Sequence, residues 1–282
     1  MWPKKIIDFF LFSGIFVSLG SVMMCMGTTV FLLNQLPDRN FLAFVFFSTM
    51  CSYNLHWYLS RDAQTNGERL QWSQQNSYLQ GFLFLLGLFG SAFFALFLLK
   101  FWLWIGVAAF LTFLYTAPKI PLGQFKRLKN IAYGKTFYLS MVWMYVTCIL
   151  PLIVKSAQWN PDFIWFILSR FFLIYANCIL FDFRDREEDL KEGIRSLITY
   201  LNERGIDKLF YFSIMLFLFF GLMTKGRECV WEKTATLIFP GILLAGLYRY
   251  FKQNFSDYTY YFLLDGLVIL SSVLLISLNL FH

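Results

Sequence analysis

Stretches of about 20 mostly apolar residues recur along the whole chain, and the gaps between them are too short to fold on their own. A helix rises 1.5 Å per residue, so such a stretch covers about 30 Å, the thickness of a bilayer's hydrocarbon core. Inside lipid, backbone N–H and C=O groups must be satisfied within the spanning element, which leaves helices as the reading for runs of this length. We read spans at residues 7–33, 40–60, 77–98, 100–117, 136–155, 162–182, 208–225, 234–250 and 258–280. The expected fold is therefore all-α, a polytopic transmembrane helix bundle of about nine spans, forming a single domain over residues 1–282. Charged residues make up only 15% of the chain, against about 25% in a soluble globular domain, and most runs lack the polar face that a soluble helix needs. The N-terminus begins Met1-Trp2-Pro3-Lys4-Lys5 and stays apolar to about Leu33, too long for a signal-peptide core, and reads as an uncleaved first span.

Lys and Arg placement gives the orientation. With the N-terminus inside, 17 of the 24 basic residues fall on inner segments and 6 on outer ones, and Arg170 lies within a span. The expected location is a plasma (inner) membrane, with the inner loops facing the cytoplasm. The net charge of +7 is then mostly topology, which gives no support to a nucleic-acid partner, although an inner basic face attracts anionic substrates and lipid headgroups. The five cysteines are scattered, without a CxxC pair or a Cys/His cluster, so neither a disulfide framework nor a zinc site is supported. Nucleophile–His–Asp arrangements, Gly-rich phosphate loops and HExxH stretches are missing, which removes hydrolase and nucleotide-driven pump readings. Arg170 and Asp265 are intramembrane charges, which are costly and usually pair inside the bundle or mark a pathway.

One stretch concentrates the charge: Asn177-Cys178-Ile179-Leu180-Phe181-Asp182-Phe183-Arg184-Asp185-Arg186-Glu187-Glu188-Asp189. Asp182, Asp185 and Asp189 stand at i, i+3 and i+7, one face of a continued helix, and Asp182 sits at the very end of an apolar run. Carboxylates crowded on one face repel unless cations share them. A hard divalent ion takes oxygen ligands and commonly bridges carboxylates to a substrate's phosphates. The interleaved Arg184, Arg186, Lys191 and Arg195 are placed to meet phosphate oxygens directly. Carboxylates, cations and an apolar bundle suit a substrate with a diphosphate head and a hydrocarbon tail.

The Asp-x-x-Asp-x-x-x-Asp pattern at the end of the sixth span, followed by Lys191-Glu192-Gly193-Ile194-Arg195-Ser196-Leu197, resembles the second aspartate-rich motif of the UbiA superfamily of intramembrane prenyltransferases. Tyr115-Thr116-Ala117-Pro118 closing the fourth span, with Lys119, Lys126, Arg127 and Lys129 after it, is similar to the family's Tyr-Ser-x-Pro and basic loop. The chain departs from the family at its first motif, Asn-Asp-x-x-Asp-x-x-x-Asp. Asn54 and Asp62 match the first and last positions, while Leu55 and Tyr58 replace the two carboxylates between them.

The resemblance implies a transferase that moves a polyprenyl group from its diphosphate to an aromatic or lipid-like acceptor with Mg²⁺. It implies catalytic roles for Asp182, Asp185, Asp189, Asn54 and Asp62, with the four aspartates as metal ligands. Substrate contacts would come from Arg184, Arg186, Lys191, Tyr115, Lys119, Lys126 and Tyr58. The partners would be a polyprenyl diphosphate, a hydrophobic acceptor and membrane lipids. The loss of carboxylates at Leu55 and Tyr58 leaves an alternative, a catalytically impaired UbiA-like protein that binds lipid or transports.

Overall fold

The computed structural model describes residues 2–60, 67–119, 134–191, 196–224 and 231–281, which are helical almost throughout and contain no strand. In chain order the helices are α1 (Trp2–Phe12), α2 (Ile15–Leu33), α3 (Arg39–Ser60), α4 (Glu68–Gln75), α5 (Ser77–Leu96), α6 (Trp102–Thr116), α7 (Lys135–Val154), α8 (Pro161–Arg184), α9 (Arg186–Lys191), α10 (Leu197–Tyr200), α11 (Glu203–Met223), α12 (Trp231–Gly246), α13 (Tyr248–Gln253) and α14 (Asp265–Phe281). A π-helical turn, Thr259–Leu264, leads into α14.

Among the described residues six helical stretches are long and apolar enough to cross a membrane: Ile15–Leu33, Ser77–Thr116, Lys135–Val154, Pro161–Arg184, Glu203–Met223 and Thr259–Leu278. The chain is an integral membrane protein. The difference from nine spans has physical reasons. Ser77–Thr116 is a 40-residue stretch that contains two of the expected segments, joined through a 3₁₀ turn at Leu99–Phe101. Helix α12 has 16 residues, about 24 Å at 1.5 Å per residue and short of a full crossing. Helix α3 is long enough at 22 residues, but Asn40, Ser48, Thr49, Ser52, Asn54 and His56 dilute its apolar character. The segment read as one span over 7–33 is two helices, broken where Gly14 takes a φ of 81°. Only glycine adopts that conformation readily.

The chain forms two compact units. The first comprises Met1–Val22 and Asp38–Lys129. Its central pair is α3 against α5, which approach so closely that Gly87 lies against the backbone of Cys51 and Phe47. Phe47 and Phe94 stack beside this contact, with ring centroids 5.7 Å apart. On its other side α5 exposes Phe82, Leu86, Phe89 and Phe93, an apolar stripe at helical spacing suited to lipid.

The second unit comprises Met23–Pro37 and Asn130–His282. Helix α8 runs through it and carries Phe171, Leu173, Tyr175, Ile179 and Leu180 into a core with Ile206, Phe210, Ile214 and Phe217 of α11. Asn160 caps its N-terminus by accepting a hydrogen bond from the Asp162 amide, with Pro161 at the first helical position, where a missing N–H is harmless. At the same end, Phe31 of α2 stacks on Phe166, with centroids 5.3 Å apart.

Helix α7 contains a π-turn at Tyr145–Ile149 just before Pro151. Proline has no N–H to offer the carbonyl four residues back, here that of Thr147. The Thr28 hydroxyl supplies the missing donor, 2.8 Å from that oxygen. A buried hydrogen bond from α2 thus repairs the defect that Pro151 introduces.

Candidate functional site

The second unit brings Asp182 and Asp189 together. Asp182 is the third-last residue of α8, and Asp189 lies in α9, whose axis starts afresh after the cap at Asp185. Both residues are 6% exposed. The Lys135 ammonium, at the start of α7, lies 3.6 Å from Asp182 Oδ1 and 3.3 Å from Asp189 Oδ2. The neighbouring Thr136 hydroxyl donates a short hydrogen bond to Asp182 Oδ2. Burial pushes the Asp189 carboxyl up to about 6, with the Asp182 charge adding to the rise and Lys135 working against it.

Asp185 does not join the pair. With the helix ending at Arg184, its carboxylate turns to the Arg184 guanidinium, 2.7 Å away. Arg184 is held on several sides: Asp257 accepts at 3.3 Å, the Tyr261 hydroxyl lies at 3.2 Å, and the rings of Tyr260, Tyr261 and Phe181 lie 4.7, 5.1 and 5.3 Å from the guanidinium carbon. Arg186 donates to the Leu201 carbonyl at 2.8 Å, and Lys191 is exposed. Of the four basic residues expected to meet phosphate, Arg184 and Arg186 are therefore engaged within the protein, and Arg195 lies outside the described residues.

Farther along α8, Asn177 donates to Asp265 Oδ1 at 3.1 Å. Arg170, 2% exposed, donates a short hydrogen bond to the Ser271 hydroxyl, and its guanidinium carbon lies 5.3 Å from the Phe166 ring centroid. Both intramembrane charges have partners within their own unit.

The first unit holds the remaining described candidates. Asn54 is 1% exposed, and its amide donates to the Ser13 and Met50 carbonyls, both at 2.8 Å. Ser13 adjoins the Gly14 break, so Asn54 satisfies a carbonyl where α1 and α2 part. Tyr115 stacks on His56, with centroids 5.3 Å apart. The Lys119 ammonium donates to the Ser60 hydroxyl and lies 6.0 Å from the Trp57 ring centroid. Tyr58 is half-buried on α3. Arg69, fully buried, stacks its guanidinium over Trp57 at 4.3 Å. Asp62 and Lys126 lie outside the described residues.

The donor chemistry of the Asp182–Asp189 pair suits Mg²⁺: carboxylate oxygens only, with an ammonium already placed where a positive charge is favoured. Among the described residues, no group of three His, Cys, Asp or Glu side chains surrounds a single point. An ion held by this pair would complete its shell with phosphate oxygens and water, as Mg²⁺ commonly does. Lys135 and Thr136 were not legible as site residues, because no spacing rule links the start of one helix to the end of another.

No curated protein sequence matches this chain. Among solved structures it is similar to digeranylgeranylglyceryl phosphate synthase, with a TM-score of 0.53 and 18% identity, over 98% of each chain, a likeness of fold. The sequence model of the UbiA prenyltransferase family matches residues 13–262. The chain, with its aspartate pattern at the end of an apolar helix, belongs to the UbiA prenyltransferase family.

Proposed function

We propose that this protein transfers a polyprenyl group from its diphosphate to an aromatic or lipid-like acceptor, at the cytoplasmic side of a plasma (inner) membrane. The observation that carries the proposal is the buried Asp182–Asp189 pair with a cation between its carboxylates, in a chain of this family. We further propose that residues 1–282 act as one domain, with the N-terminus inside and the helices too short or too polar for a free-standing span completing a nine-span bundle.

In this reading Asp182 and Asp189 would hold Mg²⁺ at the diphosphate, with Thr136 fixing the orientation of Asp182; Asp62, and Asp185 once released from Arg184, are proposed as further ligands. When bound, Mg²⁺ would stabilise negative charge on the departing diphosphate, the kind of term that is often largest in catalysis. Lys135 and Lys191 supply further positive charge at this pair, while Lys119, Lys126, Tyr58 and Tyr115 are proposed as substrate contacts, and Asn54 as a further catalytic residue, from the family resemblance. The bond from the prenyl C1 to the diphosphate oxygen breaks and its electrons leave with the diphosphate. The acceptor supplies the pair for the new bond and releases a proton. Water must be kept from the allylic cation, a task for the apolar walls.

A second reading is favoured by Leu55 and Tyr58, which stand where the family's first motif has carboxylates, and by the use of Asn54 to bind backbone. In it the chain keeps the scaffold and binds a lipid without transfer. Purified protein with Mg²⁺, labelled farnesyl or geranylgeranyl diphosphate and candidate acceptors separates the two. Transfer that disappears in Asp182→Asn and Asp189→Asn supports the first reading; diphosphate binding without turnover supports the second. If Mg²⁺-dependent diphosphate binding is undetectable, the transferase reading is wrong.

A further inference from the structure

Two carboxylates buried side by side repel each other, and the repulsion is strong because little water screens it. Lys135 relieves it, with its ammonium within 4 Å of both. The Lys135 side chain is 29% exposed, whereas Asp182 and Asp189 are nearly closed off, so the ammonium has an open side from which it can leave. A lysine is a point charge on a flexible four-carbon stem and can swing. Arg184, ringed by three aromatic side chains and bound to Asp185 and Asp257, cannot. Thr136 donates to Asp182 Oδ2 while Lys135 faces Oδ1, so the contact that aims the carboxylate uses a different oxygen from the one Lys135 occupies.

We propose that Lys135 is a resident counter-ion, exchanged when the substrate arrives. The diphosphate, more highly charged than either carboxylate, draws the ammonium onto its own oxygens. The vacated oxygens of Asp182 and Asp189 would then be open to hold a divalent ion, with phosphate oxygens and water available for the rest of its shell. Ion and diphosphate therefore bind together, and the ion alone binds weakly because the ammonium stands in its place. No proton moves, and Lys135 ends beside the charge that grows as the prenyl–oxygen bond breaks. The exchange rests on the prenyl-transfer reading and specifies how that site is loaded. It also fits a chain that lacks two of the first motif's carboxylates: with fewer acidic ligands in all, diphosphate oxygens must make up the ion's shell.

The test uses the purified full chain in nanodiscs of zwitterionic lipid, with Mn²⁺ as the probe, read by electron paramagnetic resonance, with and without inorganic pyrophosphate. The wild type is expected to bind Mn²⁺ weakly alone and about tenfold or more tightly with pyrophosphate. Lys135→Met is expected to tighten Mn²⁺ binding without pyrophosphate by about tenfold, since a competing unit charge has gone, and to weaken the pyrophosphate effect. Lys135→Arg keeps the charge and is expected to bind Mn²⁺ alone no better than the wild type. Unchanged or weaker Mn²⁺ binding by Lys135→Met overturns the exchange, and so does a wild type whose Mn²⁺ affinity ignores pyrophosphate. The wild-type comparison stands even if Lys135→Met fails to fold. Prenyl transfer that persists while the Mn²⁺ result fails removes the exchange alone; Mn²⁺ results as expected without transfer under any acceptor remove the proposed activity alone.

Discussion

Replacing Gly87 by alanine puts a methyl group where α3 and α5 have no room for one. The added carbon would lie 2.6 Å from the Cys51 amide nitrogen, 2.8 Å from Cys51 Cα and 2.8 Å from the Phe47 carbonyl oxygen. All three are backbone atoms, so no side-chain rotation relieves the clash and the helices must part by about 1 Å to restore ordinary contact near 3.5 Å. Parting them also strains the Phe47–Phe94 stack. Overpacking of this kind costs roughly 1–3 kcal/mol. Alanine also gains about 1 kcal/mol over glycine in a helix, which blurs the reading of a single variant. Gly81 on the same helix removes the ambiguity, because a methyl there meets nothing within 4 Å. The propensity gain is common to both substitutions, so the difference between Gly81→Ala and Gly87→Ala isolates the clash at about 1–3 kcal/mol. The assay is thermal unfolding in one detergent, followed with a thiol-reactive dye that reports buried cysteines such as Cys25, Cys148 and Cys178 as they become exposed. Gly81→Ala is expected to melt at or above the wild type and Gly87→Ala several degrees below it. Equal melting of the two variants, or a more stable Gly87→Ala, would refute the close approach of α3 and α5.

Asp189 titrates near 6, raised above the usual carboxyl range by burial, so it is ionised at pH 7.5 and mostly protonated at pH 5. Mg²⁺-dependent diphosphate binding is expected to weaken as the pH falls through 6, about tenfold per unit below it, and Asp189→Asn to flatten that slope. The sign for stability is opposite: a carboxyl raised in the folded state favours folding as the pH falls from about 6 toward 4, which melting of the ligand-free protein across that window checks. Ser271→Ala removes the hydroxyl that accepts from buried Arg170 and is expected to destabilise by roughly 1–3 kcal/mol, whereas Arg170→Met, which removes the charge itself, is expected to cost less; melting of the two in parallel decides. Asn160→Ala removes the cap of α8 and is expected to cost about 1 kcal/mol in the same assay.

The membrane-crossing helices were legible because each apolar run states its own length. Asp182 stood out because a carboxylate closes such a run, whereas Asp189 meets it across the helix break after Arg184, with Lys135 between them. The i+3 member failed: that spacing assumes one unbroken helix, and the helix ends at Arg184, which turns Asp185 toward its neighbour. Lys135 was not legible as the pair's partner, since it lies 54 residues from Asp189 and the chain between them carries no periodicity joining the two. The break at Gly14 was hidden for a related reason. Glycine inside an apolar run is common, and what makes this one a break is the Asn54 side chain accepting the job of binding the Ser13 carbonyl from another helix. Pro151 drew no reading from the sequence, and the Thr28 hydroxyl that makes it tolerable is visible only in three dimensions.

Arg184 ties the last turn of α8 to Asp257, Tyr260 and Tyr261, at the approach to α14. Two segments more than 70 residues apart in sequence are thereby made one cooperative unit. In amide hydrogen exchange the end of α8 and the π-turn at Thr259–Leu264 should open together rather than fray in turn, and the carboxylate of Asp182 opens with them. A ligand gripped at that carboxylate would slow exchange in the π-turn ahead of α14, which it never touches.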